Sequence, residues 1–398
     1  MRDVVIVSGA RTPIGSFGGV FKDVSAADLG AVAIRAALAR AGLEPNQVDE
    51  VFMGNVLQAE EAGYTARLSA LRAGIPSEVP AITVNRACSS GLEAINIAAS
   101  FIKSGEVEVA VAGGTENMSR SPFLLGYQSR FDGLRMGNTE IRDSLIEGLS
   151  CPVNDYHMGV GAENIAEKYE ISREDQDALA VLSHQRAVAA TEDGRFTNQI
   201  VHIPVPQRRG DPVMVTVDEG PRPNTTMETL SKLRPAFKEG GTVTPGNSSS
   251  ISDGAAAVVI MSEEKAAELG VSSCFRWRAR GVAGVDPAYY GTAPVPAVRN
   301  ALDKGSISIN EIDLIELNEA FAAQVVHNVC GLRIDLSKTN VNGSGISLGH
   351  PIGATGAIMT VRLMEELERR NEGKGLVTMC VGGGMGVATI FERIGNSN

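Results

Sequence analysis

The hydrophobic positions near the N-terminus form short apolar runs that alternate with a longer amphipathic stretch. The runs at 3–9 (DVVIVSG), 51–54 (VFMG) and 82–85 (ITVN) are typical of buried strands, and the stretch at 26–42 is typical of a helix. Ser25 with Asp28 matches an N-terminal capping box, and Gly42 matches a C-terminal stop. The alternation predicts an α/β sandwich built on buried strands.

The same helix–turn–strand pattern returns without a gap when Arg35 is aligned with Arg299, an offset of 264 residues. The positions that then coincide pair Ala37 with Ala301, Leu38 with Leu302, Leu43 with Ile307, Asn46 with Asn310, Asp49 with Asp313 and Val51 with Ile315. Beyond this unit the parallel is looser. Two similar halves predict a duplicated, five-layered αβαβα core.

Between the halves the chain has less sheet-like apolar content and more Pro, Arg, Asp and Asn. We expect residues 119–248 to form an inserted loop domain, with 1–118 plus 249–271 as the N-terminal half of the core and 272–398 as the C-terminal half. Within the insertion, a helix should start near Ser172, and IVHIPV and VMVTV are candidate short strands.

The tract from Arg208 to Lys238 holds a local basic excess in an acidic protein. Such a tract is usually a solvated face, and that interpretation stays open. The alternative is that it meets the phosphates of a nucleotide-bearing acyl carrier.

Composition narrows the possible functions. The chain has 398 residues, 43% hydrophobic content and a formal net charge of -11, which opposes general binding to nucleic acid or to an anionic membrane. No apolar run approaches the roughly 20 residues of a membrane helix, and the start lacks the pattern of a signal peptide. The five scattered cysteines favour free thiols over a disulfide frame or a zinc site. We therefore expect a cytoplasmic protein without a metal.

Cys88 lies between the strand ITVN and an apolar helical pattern, so its sulfur should sit at a helix N-terminus. The partial positive charge and free N–H groups of that position lower a cysteine pKa and favour the reactive thiolate. Taken alone, a cysteine is more often a small buried hydrophobe. The residues of the second half favour the functional interpretation.

Three second-half residues could act with Cys88. His350 lies in the Gly-rich stretch NGSGISLGHPIGATGA, where we expect a strand–helix edge, and histidine is a natural base for a thiol. Cys380 ends the strand-like GLVTMCV and precedes GGGMG, whose amides could form an oxyanion hole. Asn318 ends the strand DLIELN, where it could cap the next helix or hold a catalytic water.

These residues lie in motifs that resemble the active-site blocks of thiolases. The blocks are ACSSG around Cys88, NEAFA at 318–322, GHPIGATG at 349–356 and CVGGGMG at 380–386, and the likeness covers essentially the whole chain. The resemblance implies that Cys88 accepts the acyl group and that His350 activates it. It also implies that Cys380 is the acid/base for the second substrate, and that Asn318 positions a water. The amides of Cys88 and Gly382 would form the second oxyanion hole.

The resemblance further implies a coenzyme A site on the inserted domain. Positions that border the pantetheine and the nucleotide in the family match His157, Met158, Arg222, Leu233, Phe237 and Ser249. The implied partners are acetyl-CoA, acetoacetyl-CoA and CoA as substrates and products, with no cofactor, no nucleic acid and no membrane. Family members are typically dimers or tetramers, so a homotetramer, a dimer of dimers, is expected.

The implied reaction is a reversible Claisen condensation in two exchanges, giving acetoacetyl-CoA from two acetyl-CoA through an acyl-cysteine. The YHMG stretch at 156–159 is similar to short-chain members. In the family, Ala or Gly often follows the nucleophile, whereas Ser89 follows Cys88 here. The details of the family's acyl pocket therefore cannot be applied to this chain. A broad-chain 3-ketoacyl-CoA thiolase of fatty-acid degradation is therefore the alternative.

Two rivals remain. Ketoacyl synthases share the duplicated fold but use a Cys-His-His set, whereas this chain offers Asn318 and Cys380. A non-catalytic acyl-CoA or lipid binder of the same fold would be expected to lack an acid/base residue, and all four are present.

Overall fold

The computed structural model describes residues 2–207, 209–272 and 274–395. Arg208, the first residue of the basic tract, lies outside the described residues. The strands are β1 Val4–Arg11, β2 Gly15–Ser16, β3 Glu50–Gly54, β4 Ala81–Val84, β5 Val109–Asn117, β6 Phe123–Leu125, β7 Ile141–Asp143, β8 Ser150–Cys151, β9 Tyr156–His157, β10 Ile203–Val205, β11 Val213–Val215, β12 Ser252–Ser262, β13 Phe275–Gly284, β14 Leu314–Leu317, β15 Lys374–Val381 and β16 Met385–Arg393.

The α-helices alternate with these strands in both halves of the chain. They are α1 Ala26–Ala41, α2 Thr65–Arg72, α3 Ser90–Ser104, α4 Gln128–Phe131, α5 Ser144–Gly148, α6 Met158–Lys168, α7 Arg173–Glu192, α8 Met227–Ser231, α9 Glu263–Leu269, α10 Pro294–Gly305, α11 Ala322–Leu332, α12 Gly345–Leu348 and α13 Thr355–Arg370.

The first-half elements match the prediction to within about two residues at their ends. The capping box at the start of α1 is present, since the Ser25 side chain accepts from the amide of Asp28, and Gly42 ends the helix in the left-handed conformation. In the inserted stretch, Ser172 caps α7 as predicted. The predicted strands there are shorter than expected, because pairing is confined to three residues of β10 and β11.

The main sheet shows the duplication directly. Its strand order is β14-β15-β16-β13-β1-β12-β5-β3-β4, with β2 paired to β12. In the first half β3 runs parallel to β5, and β5, β12 and β1 pair antiparallel in turn. In the second half β14, β15, β16 and β13 repeat that order and those directions. The two half-sheets join through only two residue pairs, between β1 and β13.

Helices cover both half-sheets, which gives the predicted five layers. Helices α1 and α2 pack on the outer face of the first half-sheet, and α10 packs on the outer face of the second with α11 beside it. Helices α3 and α13 pack on each other and contact strands of both halves, so they form the middle layer. Three apolar cores fill the spaces between layers. Because both faces are covered, all eleven residues of β12 are buried.

The stretch between β5 and β12 leaves the sheet and is tied back to it by buried polar contacts. Arg11 of β1 is fully buried and forms a bidentate pair with Asp218, at 2.7 and 2.9 Å, while its Nε donates to Gln199. A charge pair with this geometry is held in one arrangement by its hydrogen bonds. The predicted domain boundaries stay a prediction. Among the described residues, no helix is both long and apolar enough to cross a bilayer.

Candidate active site

One cavity of about 420 Å³ gathers most of the predicted site residues, at the point where the inserted stretch faces both halves of the core. Those that line it are Cys88, His350, Cys380, His157, Met158, Arg222, Phe237 and Ser249. Its lining includes one basic side chain, Arg222, and no carboxylate among the described residues. A mostly apolar cavity with a few convergent polar groups is typical of a small-molecule site.

Cys88 lies two residues before α3, so its predicted place at a helix N-terminus is confirmed. The preceding Ala87 adopts the left-handed conformation, with φ of 41°, and turns the chain from β4 into the helix. The backbone N–H groups of Gly382 and of Cys88 itself point at the sulfur and lower its pKa. The predicted net lowering is nevertheless wrong. Desolvation raises the pKa of Cys88 to about 11, because apolar groups distant in sequence surround it.

His350 is buried, and its predicted place at a strand–helix edge is wrong, because it lies between the helices α12 and α13. Burial lowers the pKa of His350 to about 4, so the ring is neutral at pH 7. Its Nε2 lies 3.3 Å from Nδ2 of Asn318, and its Nδ1 lies 2.6 Å from Oγ1 of Thr355. A neutral imidazole that lines the same cavity as a protonated thiol has the chemistry to accept that proton.

Cys380 lies at the predicted end of β15, and its side chain is buried. Its Sγ is 3.8 Å from Oε1 of Gln324, which also accepts from the amide of Ala320. Burial raises the pKa of Cys380, and the nearby Cys88 raises it further. A thiol whose pKa is raised is a weak acid, and its thiolate is a correspondingly strong base.

Asn318 follows β14 and is fully buried. It does not cap the next helix, which is a correction, because α11 begins only at Ala322 and the side chain of Gln324 folds back over its first turn. The backbone of Asn318 is instead held by the carbonyl of Thr378 in β15, at 3.0 Å. Its Oδ1 is buried and has no hydrogen-bond partner among the described residues. That oxygen remains available to a ligand or a water.

Most of the residues predicted to meet coenzyme A line the same cavity, and Met158 and Phe237 pack in one apolar cluster with Cys380. The ring of His157 stacks on Phe237 with centroids 4.8 Å apart and planes 12° apart, and Phe237 meets Phe321 edge-on. Ser249 donates its backbone N–H to the carbonyl of Ala320. The exception is Leu233, which lines an adjoining cavity of about 160 Å³ that shares Arg222 with the main one.

Some residues of the basic tract fit a phosphate-binding role, and others fit a solvated face. Within the described part of the tract, Arg222 is the basic residue that reaches both cavities. Lys232 and Lys238 form surface ion pairs with Glu228 and Glu167, at 2.7 and 2.6 Å. These two lysines therefore behave as a solvated face.

Several lining residues were not foreseen from the sequence. They are Met118, Leu149, Pro245, Ser248, Ser250, Ile251, Tyr290, Ala320, Phe321 and Ile352. Tyr290 donates its hydroxyl to the carbonyl of Met158, at 3.2 Å, and comes from a short 3₁₀ segment with no apolar periodicity. Ile352 and Ala320 lie inside the recognised motifs GHPIGATG and NEAFA, so their motif neighbours were the available signal.

A duplicated fold that presents two thiols and a neutral histidine to one cavity defines an enzyme that moves acyl groups between thiols. Family models bear this out: a thiolase N-terminal domain matches residues 4–264 and a thiolase C-terminal domain matches residues 272–393. The chain belongs to the thiolase family.

Similar proteins extend the match over the full length. An acetyl-CoA acetyltransferase of Pseudomonas aeruginosa is 50% identical over 99% of this chain and 100% of its own, and one of Cupriavidus necator is 49% identical over 99% and 100%. The crystal structure of the Bacillus anthracis acetyl-CoA acetyltransferase superposes with a TM-score of 0.96 at 48% identity, covering 99% of both chains. Human mitochondrial 3-ketoacyl-CoA thiolase in complex with CoA superposes with a TM-score of 0.94 at 43% identity, covering 99% of this chain and 98% of that one.

Proposed function

We propose that the protein is an acetyl-CoA acetyltransferase that condenses two acetyl-CoA reversibly to acetoacetyl-CoA and CoA. The observation that carries the proposal is the single cavity lined by Cys88, His350 and Cys380, two thiols and a neutral histidine. Acyl-CoA and CoA are the substrates and products, and no further cofactor is proposed.

In the first exchange, His350 takes the proton of the Cys88 thiol. The thiolate attacks the carbonyl carbon of acetyl-CoA, the bond from carbon to the CoA sulfur breaks, and the departing thiolate takes up a proton to leave as CoA. The pKa of about 11 makes this proton transfer necessary, since the free thiol is protonated at pH 7. We propose that Asn318, whose Oδ1 is free, holds a water that polarises the carbonyl together with His350.

In the second exchange, His350, which is neutral again after giving its proton to the departing CoA, takes the proton of the Cys380 thiol. The Cys380 thiolate then removes the α-proton of a second acetyl-CoA, and the proton held by His350 is available to the Cys88 sulfur when that sulfur leaves. The enolate attacks the acetyl carbon on Cys88, a carbon–carbon bond forms, and the Cys88 sulfur leaves and is reprotonated. The raised pKa of Cys380 suits this step, because a stronger base is needed for a weakly acidic α-proton. The amides of Cys88 and Gly382, which converge on the Cys88 sulfur, would stabilise the oxyanion.

The CoA arm would lie along His157, Met158, Phe237 and Ser249, with Leu233 and Arg222 beside the nucleotide. The stacked pair of His157 and Phe237 supports an apolar wall for pantetheine. Arg222 supports phosphate contact, as the basic residue that lines both cavities.

The preference for the acetyl group rests on the surroundings of the nucleophile. Cys88 packs against the apolar cluster of Met118, Leu145 and Ile352, and we propose that these side chains bound the site of the acyl group. The alternative is a broad-chain 3-ketoacyl-CoA thiolase, supported by the likeness to the human mitochondrial enzyme.

The test is mass spectrometry after incubation with acetyl-CoA, followed by thiolysis of 3-ketoacyl-CoA substrates of increasing chain length. We expect one acetyl group on Cys88, its absence in Cys88→Ala, and thiolysis that falls steeply beyond four carbons. An adduct on another residue would contradict the nucleophile assignment. A chain-length profile that stays flat would favour the broad-chain alternative.

We further propose a cytoplasmic homotetramer. Two surface features of the chain support association: the hairpin of β6 and β7 with the helix α4 between them exposes large apolar side chains, including Phe123 at 68% and Phe131 at 79%, and β4 is an unpaired sheet edge. Light scattering should give four times the chain mass, and Phe131→Asp should lower it. A monomeric mass for the unaltered protein would contradict the proposal.

A further inference from the structure

We propose that Thr355 is a positioning residue that holds His350 with its proton on Nδ1, so that Nε2 is the atom that accepts the Cys88 proton. The proposal rests on the proposed function and assigns a task to a residue that touches no substrate.

The hydrogen-bond geometry around Thr355 carries the proposal. Its Oγ1 lies 2.6 Å from Nδ1 of His350 and 2.9 Å from the carbonyl oxygen of Pro351. A carbonyl oxygen can only accept, so a hydroxyl that donates to Pro351 must receive from its other neighbour. In that arrangement the proton lies on Nδ1 of His350, between the ring and the threonine oxygen.

The other side of the ring agrees with this assignment. Nε2 of His350 faces Nδ2 of Asn318 at 3.3 Å, and an amide nitrogen is a donor. Nε2 therefore meets Asn318 as an acceptor, with its one lone pair towards that amide, and His350 itself lines the cavity that Cys88 also lines. The competing arrangement turns both groups around: Thr355 donates to Nδ1, and an inverted Asn318 amide accepts from Nε2–H.

Only the first arrangement leaves a lone pair on Nε2, so only there can Nε2 act as the base, once its 3.3 Å contact with the Asn318 amide gives way to the thiol. When Nε2 accepts the thiol proton, the imidazolium carries a proton on each nitrogen, and Oγ1 of Thr355 already accepts from Nδ1. In the competing arrangement Nε2 already carries a proton, and the free lone pair of the ring lies on Nδ1 beside Thr355, so Nε2 cannot take the thiol proton. A group that fixes the tautomer and then supports the charged ring has the role of the buried acid in a catalytic triad.

The buried location of Thr355 restricts the orientation of its side chain. It is the first residue of α13, it is 4% exposed, and α13 belongs to the middle layer between the two half-sheets. Removing its hydroxyl leaves no orphaned carbonyl, because Pro351 also accepts from the amides of Ala354 and Thr355. An isosteric substitution can therefore separate the positioning role from a folding role.

The experiment compares Thr355→Val, which keeps the shape, with Thr355→Ser, which keeps the hydroxyl. Nitrogen-15 NMR of histidine-labelled protein reports which ring nitrogen carries the proton, and His350→Gln identifies the signal among five histidines. We expect the Nδ1–H form in the unaltered protein and in Thr355→Ser, and a mixture of tautomers in Thr355→Val. Acetoacetyl-CoA thiolysis should fall about 10- to 100-fold in kcat for Thr355→Val, with KM little changed and activity restored by serine.

The NMR and activity measurements distinguish a failure of the positioning role from a failure of the proposed function. An Nε2–H signal in the unaltered protein, or a tautomer unaffected by Thr355→Val, overturns the positioning role whatever the activity. If Thr355→Val shifts the tautomer but the unaltered protein neither acetylates nor thiolyses, the positioning role stands and the proposed function fails. Equal loss of kcat in the valine and serine variants would also overturn the proposal, because the hydroxyl would not be the group that matters.

Discussion

The two halves of the molecule build the same framework but use corresponding segments differently. The loop before α3 carries the proposed nucleophile Cys88, and the loop before α13 carries His350, the proposed base. Because α3 and α13 pack on each other in the middle layer, the duplication alone brings these two loops together. One copy would present a single such loop.

The ends of the equivalent strands β5 and β15 show the clearest divergence. Near the end of β15 lies Cys380, which faces the cavity. Near the end of β5 lies Glu116, a buried carboxylate that accepts from the amides of Val56, Leu57 and Gly353 and from the side chain of Asn55. The first half thus uses this strand end to fasten loops, whereas the second half uses it to place the thiol that we propose for proton transfer. Glu116 also accepts from the amide of Gly353 in the loop of His350, so a residue of the first half helps to hold a loop of the second.

Replacing Cys380 tests the role proposed for the strand end in the second half, and of the predicted changes it should have the largest effect. In Cys380→Ala, condensation should fall by about 10²- to 10⁴-fold, the usual contribution of a general acid–base group. Acetylation of Cys88 should persist, because that step does not need an α-proton removed. Acetoacetyl-CoA formation and intact mass measure the two steps separately.

The matched control is Cys330→Ala, since Cys330 is exposed and lies outside the catalytic cavity. Its condensation rate should equal that of the unaltered protein. Undiminished condensation in Cys380→Ala would remove Cys380 as the second base and, with it, the contrast between the strand ends.

Replacing Glu116 tests the structural role of the strand end in the first half. Both oxygens of Glu116 accept from N–H groups, so in Glu116→Gln an amide NH₂ must face a donor. We expect the free energy of unfolding to fall by about 2–3 kcal/mol, the cost of buried groups left unsatisfied. Burial raises the pKa of Glu116 to about 7, so urea unfolding is measured at pH 8, where the carboxylate is charged.

Glu228→Gln is the control, since its side chain is 81% exposed and pairs with Lys232 on the surface. The free energy of unfolding of Glu228→Gln should fall by less than about 1 kcal/mol. A loss for Glu116→Gln as small as that of the control would mean that the carboxylate fastens nothing.

The sequence predicted the framework well, because apolar periodicity and the 264-residue repeat are local or regular signals. It could not predict the electrostatics of Cys88. The helix N-terminus is visible in the sequence, but the apolar groups that desolvate the sulfur come from distant segments such as Leu149 and Ile352. Asn318 was mistaken for a possible cap for a different reason. Gln324 accepts from the amides of Ala320 and Phe321 and forms a capping box for a helix that begins at Ala322, a local signal that was available in the sequence.

Lowering the pH tests the burial of His350 and should give the smallest effect. In the unfolded chain a histidine gains a proton near pH 6.5, whereas burial lowers the pKa of His350 to about 4 in the folded protein. The unfolded state therefore binds more protons as the pH falls through this window, and stability is lost on going from pH 6.5 towards 4. Between pH 7 and pH 5, His350 should contribute about 2 kcal/mol of that loss.

The measurement compares urea unfolding of the unaltered protein and of His350→Gln at equal concentration at pH 8, 7 and 5. His184, whose pKa is also lowered to about 4 by burial and by Arg222, acts in the same direction in both proteins and cancels in the difference. Between pH 8 and 7 the two curves should run nearly parallel, because the histidine is then mostly neutral in both states. If they stay parallel down to pH 5, His350 titrates alike folded and unfolded. The second half would then lack the dry, neutral base that distinguishes it from the first.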